Sequence, residues 1–171
     1  MMNQKLDYYG NAITQIRFFE ISAENLWKLI SSPGNLNDCH PYCLNNEVLQ
    51  WDEEGHKDCL IYLNGLTYIR NFQSWNEGSG YTLNIGEEGG KQSFVIWSIE
   101  EISENKSKLS ITVYPYLLAN LPRIISFLPY TFWIRPRLEN YLKSVLTGFE
   151  YVSINNEPVP RNYFGRHPWF S

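Results

Sequence analysis

The chain has 171 residues, 16% of them aromatic and only 19% charged, against about 25% charged in an average soluble protein, so it suits one domain with a large core. Its net charge of −4 argues against nucleic acid, whose phosphates select basic surfaces. Three cysteines cannot all pair within one chain, and no signal-like leader or apolar run of about 18 residues is seen, which leads us to expect a cytoplasmic protein with free thiols.

Residues 1–12 are polar and read as an N-terminal arm. Ile13–Ile21, rich in Ile and Phe, predicts a first strand. Ser22 stands where an N-cap belongs, followed by Glu24 and the stripe Leu26, Trp27, Leu29, Ile30. Ser32-Pro33 restarts the pattern and predicts a short helical turn over Pro33–Asp38. From Glu47 the period becomes two. Strands are expected at Glu47–Trp51, Asp58–Leu63, Thr67–Trp75, Tyr81–Ile85, Gln92–Glu101 and Lys108–Tyr114, joined by short polar turns into an antiparallel meander.

Asn64-Gly65 predicts a two-residue hairpin. That turn would pair Leu63 with Leu66, Ile61 with Tyr68 and Cys59 with Arg70, and would put all of these and Phe72 on the inner face. Tyr81, Leu83, Ile85, Leu109, Ile111 and Val113 point inward by the same alternation, whereas Phe94–Ile99 is apolar on both faces and its parity stays open. A long helix is expected from about Pro136, with Leu138, Tyr141, Leu142, Val145, Leu146, Phe149 and Val152 on its gripped stripe. Gly148 interrupts that stripe and suggests a close approach of something to the backbone.

Tyr114–Pro136 is almost wholly apolar, with prolines at 115, 122, 129 and 136. Those prolines argue against one long helix there. A lid over a cavity is the preferred reading, ahead of a homodimer contact and a peripheral membrane patch. The tail from 155 to 171 carries Tyr163, Phe164, Trp169 and Phe170. So many rings predict docking on the domain or on a partner, with Arg161, Arg166 and His167 as anchors to acidic groups.

Chemical motifs are few. His40-Pro41-Tyr42-Cys43 and His56-Lys57-Asp58-Cys59 each hold a His-x-x-Cys, but the spacing fits no familiar finger, so no metal is expected. A Gly-x-Ser-x-Gly elbow is absent, the Glu53-Glu54, Glu87-Glu88 and Glu100-Glu101 pairs read as solvated, and Gly86-Glu87-Glu88-Gly89-Gly90 is too acidic for a phosphate loop. No cofactor is implied.

The Ile21-Ser22-Ala23-Glu24-Asn25-Leu26-Trp27 passage, the Ser32-Pro33 turn, the meander and the closing helix together resemble the START-like (SRPBCC) superfamily of polyketide cyclase, dehydrase and lipid-transport proteins. The ending from Val159 to Ser171 is similar to the tail of an uncharacterised bacterial subgroup. The resemblance covers roughly residues 13–154. It implies an α+β helix-grip fold, a curved seven-stranded antiparallel sheet around a long C-terminal helix, with a hydrophobic cavity between them. It supplies no catalytic residues.

The expected function is binding of a small or medium hydrophobic molecule of lipid, polyketide or aromatic type. A cyclase or dehydratase using the same cavity, or a lipid-handling membrane-docking protein, are the alternatives. Arg70 would meet a polar or anionic group of the ligand, helped by Tyr68 and His40. Phe72, Leu83, Trp97, Ile111, Leu142 and Phe149 would form the walls. On that reading Arg70→Met would weaken binding and hardly touch stability.

Overall fold

The computed structural model describes residues 12–117 and 127–171. Strand β1 (Ile13–Phe19) leads to helix α1 (Ala23–Ser31), the single turn α2 (Leu36–Cys39) and six further strands: β2 (Cys43–Asp52), β3 (Gly55–Tyr62), β4 (Thr67–Asn76), β5 (Gly80–Gly86), β6 (Gln92–Ser103) and β7 (Lys106–Tyr114). The seven strands form one antiparallel sheet in the order β1-β7-β6-β5-β4-β3-β2. The long helix α3 (Arg135–Asn155) lies across its concave face.

Local chemistry accounts for the elements. The Ser22 hydroxyl accepts the Asn25 N–H at 3.2 Å and starts α1, whose Leu26, Trp27 and Ile30 are buried. The second helical turn begins at Leu36 rather than Pro33. Ser32 ends α1 by donating to the Lys28 carbonyl, and the Asn35 amide donates to the carbonyls of Leu29 and Ile30, so residues 33–35 act as a turn. Within β6, Val95, Trp97 and Ile99 are buried towards the helix, which settles the parity that the apolar pattern left open.

The β3–β4 hairpin departs from expectation by one residue. Ile61 faces Thr67, Leu60 faces Tyr68 and Asp58 faces Arg70. The loop is Leu63-Asn64-Gly65, closed by hydrogen bonds from the Tyr62 N–H to the Leu66 carbonyl and from the Gly65 N–H to the Tyr62 carbonyl. Only Gly65, at φ +85°, is left-handed there, whereas a two-residue type I′ turn needs two such residues. The extra loop residue turns β3 over. Leu60 and Tyr62 face the helix in place of Cys59 and Ile61, while Tyr68 and Arg70 on β4 point inward as expected.

The closing helix also starts earlier than the proline pattern suggests. Residues 127–129 are helical, and a π-helical turn (Tyr130–Ile134) runs straight into α3. The Arg135 N–H bonds back to the Tyr130 carbonyl, and the widened turn falls directly before Pro136, whose ring could not follow an ordinary α-turn without a clash. Of the segment read as a lid or contact, residues 118–126 lie outside the described residues. At the other end of α3, Gly148 permits close packing: a Cβ there would sit 2.1 Å from the Cys39 carbonyl oxygen.

Leu142 and Leu146 of α3 are buried at the centre of the grip. Replacing either by alanine is expected to cost about 2–5 kcal/mol in urea denaturation. Gly148→Ala should cost about 1–3 kcal/mol, because helix and loop must separate to admit the methyl group. A midpoint unchanged in both experiments would contradict this packing.

Candidate functional site

Between sheet and helix lies a cavity of about 390 Å³, in the size range of small-molecule sites. Its walls are mainly aliphatic and aromatic. β5, β6 and β7 contribute Leu83, Val95, Trp97 and Ile111, and α3 contributes Leu138, Leu142 and Val145. Polar groups enter from His40, Tyr62, Tyr68, Arg70, Tyr116 and Tyr141.

Arg70 is not an open anchor. Its Nε donates to Asp58 Oδ1 at 2.7 Å and its second guanidinium nitrogen holds the other carboxylate oxygen, a bidentate pair with both residues buried. Burial alone would pull the guanidinium down, but the charge and hydrogen bonds of Asp58 outweigh it and hold Arg70 above its ordinary range. The missed partner corrects the expectation that Arg70→Met would leave stability unchanged.

Beside this pair runs a chain of buried and half-buried polar atoms. The Tyr42 N–H donates to His40 Nδ1 at 3.1 Å, which places the proton of the neutral ring on Nε2. That nitrogen lies 2.8 Å from the Tyr141 hydroxyl, itself 3.0 Å from the Tyr62 hydroxyl. Burial, and then the nearby charge of Arg70, push His40 down to about 3. Burial pushes the Tyr62, Tyr68 and Tyr141 hydroxyls up, and Tyr68 also bonds to Tyr116. At neutral pH the imidazole is therefore uncharged and the phenols keep their protons.

The segment after α3 returns to the domain and completes the wall. Asn156, left-handed at φ 52°, ends the helix. The Val159 N–H bonds to the Asp38 carbonyl at 2.8 Å and the Asn162 N–H to the Pro41 carbonyl at 2.9 Å. Arg161 donates to the carbonyls of Asn37 and His40, and His167 Nε2 to that of Arg137. These anchors are backbone carbonyls rather than the acidic groups expected. The Asn64 amide donates to the Trp169 carbonyl at 2.8 Å, and Phe170 stacks on Tyr62 with ring centroids 4.3 Å apart. Trp169 and Phe170 thus line the cavity, where Trp169 meets Trp133 edge-on at 5.5 Å. Trp133 is half exposed, and Phe127, Leu128 and Phe132 nearby in the chain are more exposed still.

Of the residues expected at a ligand site, His40, Tyr68, Arg70, Leu83, Trp97, Ile111 and Leu142 stand on the cavity wall, and Phe72 and Phe149 do not. Phe149 is buried one turn beyond Val145, its ring 5.3 Å from Trp97. Phe72 belongs to a separate stack with Trp51, His56, Trp75 and Tyr81, and Arg70 covers its ring at 5.4 Å. Cys39, Cys43 and Cys59 are free thiols, and burial pushes Cys43 to about 11. Among the described residues no group of three or more His, Cys, Asp or Glu side chains is placed to hold a metal, and no helix is long and apolar enough to cross a membrane.

No protein-family model and no curated protein matches the sequence. Solved structures do. A START superfamily protein from Mycobacterium smegmatis aligns over 86% of this chain and 99% of its own, with TM-score 0.68 and 12% identity. XoxI from Bacillus cereus aligns over 86% and 98%, with TM-score 0.64 and 16% identity. The di-domain ARO/CYC protein BexL of the BE-7585A biosynthetic pathway aligns over 83% of this chain but 46% of its own, with TM-score 0.65 and 9% identity. The chain has the START-like helix-grip fold.

Two outcomes follow from the buried charges. Arg70→Met, which strands the Asp58 carboxylate, is expected to cost about 3–5 kcal/mol in chemical denaturation, and Asp58→Leu in the same chain should recover most of it. His40 binds a proton in the unfolded chain below its ordinary value of 6.5 but in the folded one only near 3. Stability should therefore fall as pH drops from 6.5 towards 3, by up to about 1.4 kcal/mol per pH unit from this residue. Subtracting the His40→Gln curve from the wild-type curve isolates that slope; parallel curves would contradict it.

Proposed function

We propose that the cavity binds a small or medium-sized apolar molecule of lipid, polyketide or aromatic type. The single observation behind this reading is a space of about 390 Å³ between sheet and helix with mainly aliphatic and aromatic walls and a short row of polar atoms. Such a space favours a ligand that sheds little hydration on entry. The likeness to a START superfamily protein supports the same reading at the level of fold.

A cyclase or dehydratase reaction in the same cavity is the second reading. The fold shared with the ARO/CYC protein BexL favours it, as does a histidine–tyrosine chain on the wall. Acid–base catalysis works best with groups that titrate near the working pH. Here burial moves His40 down to about 3 and the tyrosines up. That balance favours binding over proton transfer.

Native mass spectrometry of protein purified from cells should reveal a bound apolar small molecule. Val95→Phe, which places a ring in the cavity from the middle of β6, should remove it while the fold persists in circular dichroism. Retention of the molecule by this variant would put the site elsewhere. Recovery of the molecule chemically changed after incubation would favour the enzyme.

A further inference from the structure

The polar atoms of the cavity do not close their own hydrogen-bond count. Tyr141 Oη accepts the Nε2–H of His40 at 2.8 Å, and the Tyr62 and Tyr141 hydroxyls lie 3.0 Å apart. These two phenols own two hydroxyl hydrogens and share one mutual bond. Whichever of them donates, one O–H has no acceptor among the described residues. Both rings line the cavity, Tyr62 buried and Tyr141 half-buried, and a donor withdrawn from water without an acceptor is costly. A ligand atom that accepts a hydrogen bond would satisfy it.

The charge balance narrows that atom further. The Arg70 guanidinium on the wall is held bidentately by Asp58, so the pair is close to neutral. The His40 Nδ1 lone pair is occupied by the Tyr42 N–H, and the buried ring is uncharged. An anionic ligand would lose its hydration with no countercharge waiting. A neutral acceptor would lose far less.

Resting on the apolar-ligand reading above, we propose that the Tyr62–Tyr141 hydroxyl pair is the polar anchor of the site and selects a neutral molecule carrying a carbonyl, as in a ketone, ester or amide. His40 is a positioning residue: through its fixed tautomer it occupies one lone pair of Tyr141 and turns the pair's remaining hydrogen outward. Phe170 packs on both rings, stacked at 4.3 Å on Tyr62 and 4.6 Å from the Tyr141 ring, and holds the pair in place.

The test uses three compact probes of one shape on the full chain: fluorene, 9-fluorenone and fluorene-9-carboxylate. Calorimetric titration should show fluorenone binding roughly tenfold tighter than fluorene, the worth of one added hydrogen bond, with the carboxylate weakest. The infrared carbonyl stretch of bound fluorenone should lie below its value in cyclohexane. The Tyr62→Phe/Tyr141→Phe double variant should bind fluorene and fluorenone equally and return the stretch to the cyclohexane value. Equal affinities in the wild type with an unshifted carbonyl would overturn the proposal. So would a fluorenone preference that survives in the double variant, or tightest binding of the carboxylate. In each of these outcomes fluorene still binds and the apolar-ligand reading stands. Binding of none of the three would remove that reading and the proposal together. If the double variant does not fold, the wild-type carbonyl shift decides alone.

Discussion

The pairing of Asp58 with Arg70 is the constraint on which the rest of the structure depends. A guanidinium inside a sheet–helix core would be prohibitively costly alone, and a carboxylate equally so. Placed directly opposite each other on β3 and β4, the two neutralise one another with a fork geometry that admits little movement. Slipping the hairpin by one residue would set Cys59 across from Arg70 and send Asp58 to the outer face. The buried charges therefore lock the register in addition to the apolar pattern. The same register turns Leu60 and Tyr62 towards α3, brings the Tyr62 hydroxyl to Tyr141, and exposes a face on which Phe170 can stack.

From that point the cavity follows from packing limits. The sheet curves around α3, and the long helix fills the groove chiefly along Leu138, Leu142, Val145, Leu146 and Phe149. Beyond Arg70 the interior continues into the separate ring stack of Trp27, Trp51, Phe72, Trp75 and Tyr81. Near Trp133 the returning tail adds Trp169 and Phe170 to the cavity wall. The result is a largely apolar space whose polar edge is the neutral His40, the hydroxyls of Tyr62, Tyr68, Tyr116 and Tyr141, and the Asp58-paired Arg70. An apolar guest with one neutral acceptor matches that inventory better than an ion does.

Much of the fold was legible in the residues themselves. Period-two alternation located the strands, and the three- and four-residue spacing of Leu138, Leu142, Val145, Leu146 and Phe149 located the gripped helix. Two features were not. The Asn64-Gly65 pair has the composition of a tight two-residue turn, yet the chain spends Leu63 in the loop as well. The discriminating signal was available in charge: only the three-residue loop sets Asp58 across from Arg70. The early start of the closing helix was hidden because prolines read as breakers, whereas a π-turn accommodates Pro136 at the second helical position. The site was partly legible. Arg70, Tyr68 and His40 pointed to a polar edge, but Tyr62, Tyr141, Trp169 and Phe170 were missed. Their roles depend on contacts between segments far apart in the chain, which periodicity does not encode.

The central claim is a largely apolar, ligand-sized space between the sheet and α3, and a crystal structure under xenon pressure tests it most directly. Xenon enters apolar cavities that water leaves empty. The account predicts anomalous peaks among Leu83, Trp97, Ile111 and Leu142, with the walls unmoved. A chain of ordered waters in that volume, or side chains collapsed across it with no xenon bound, would contradict it.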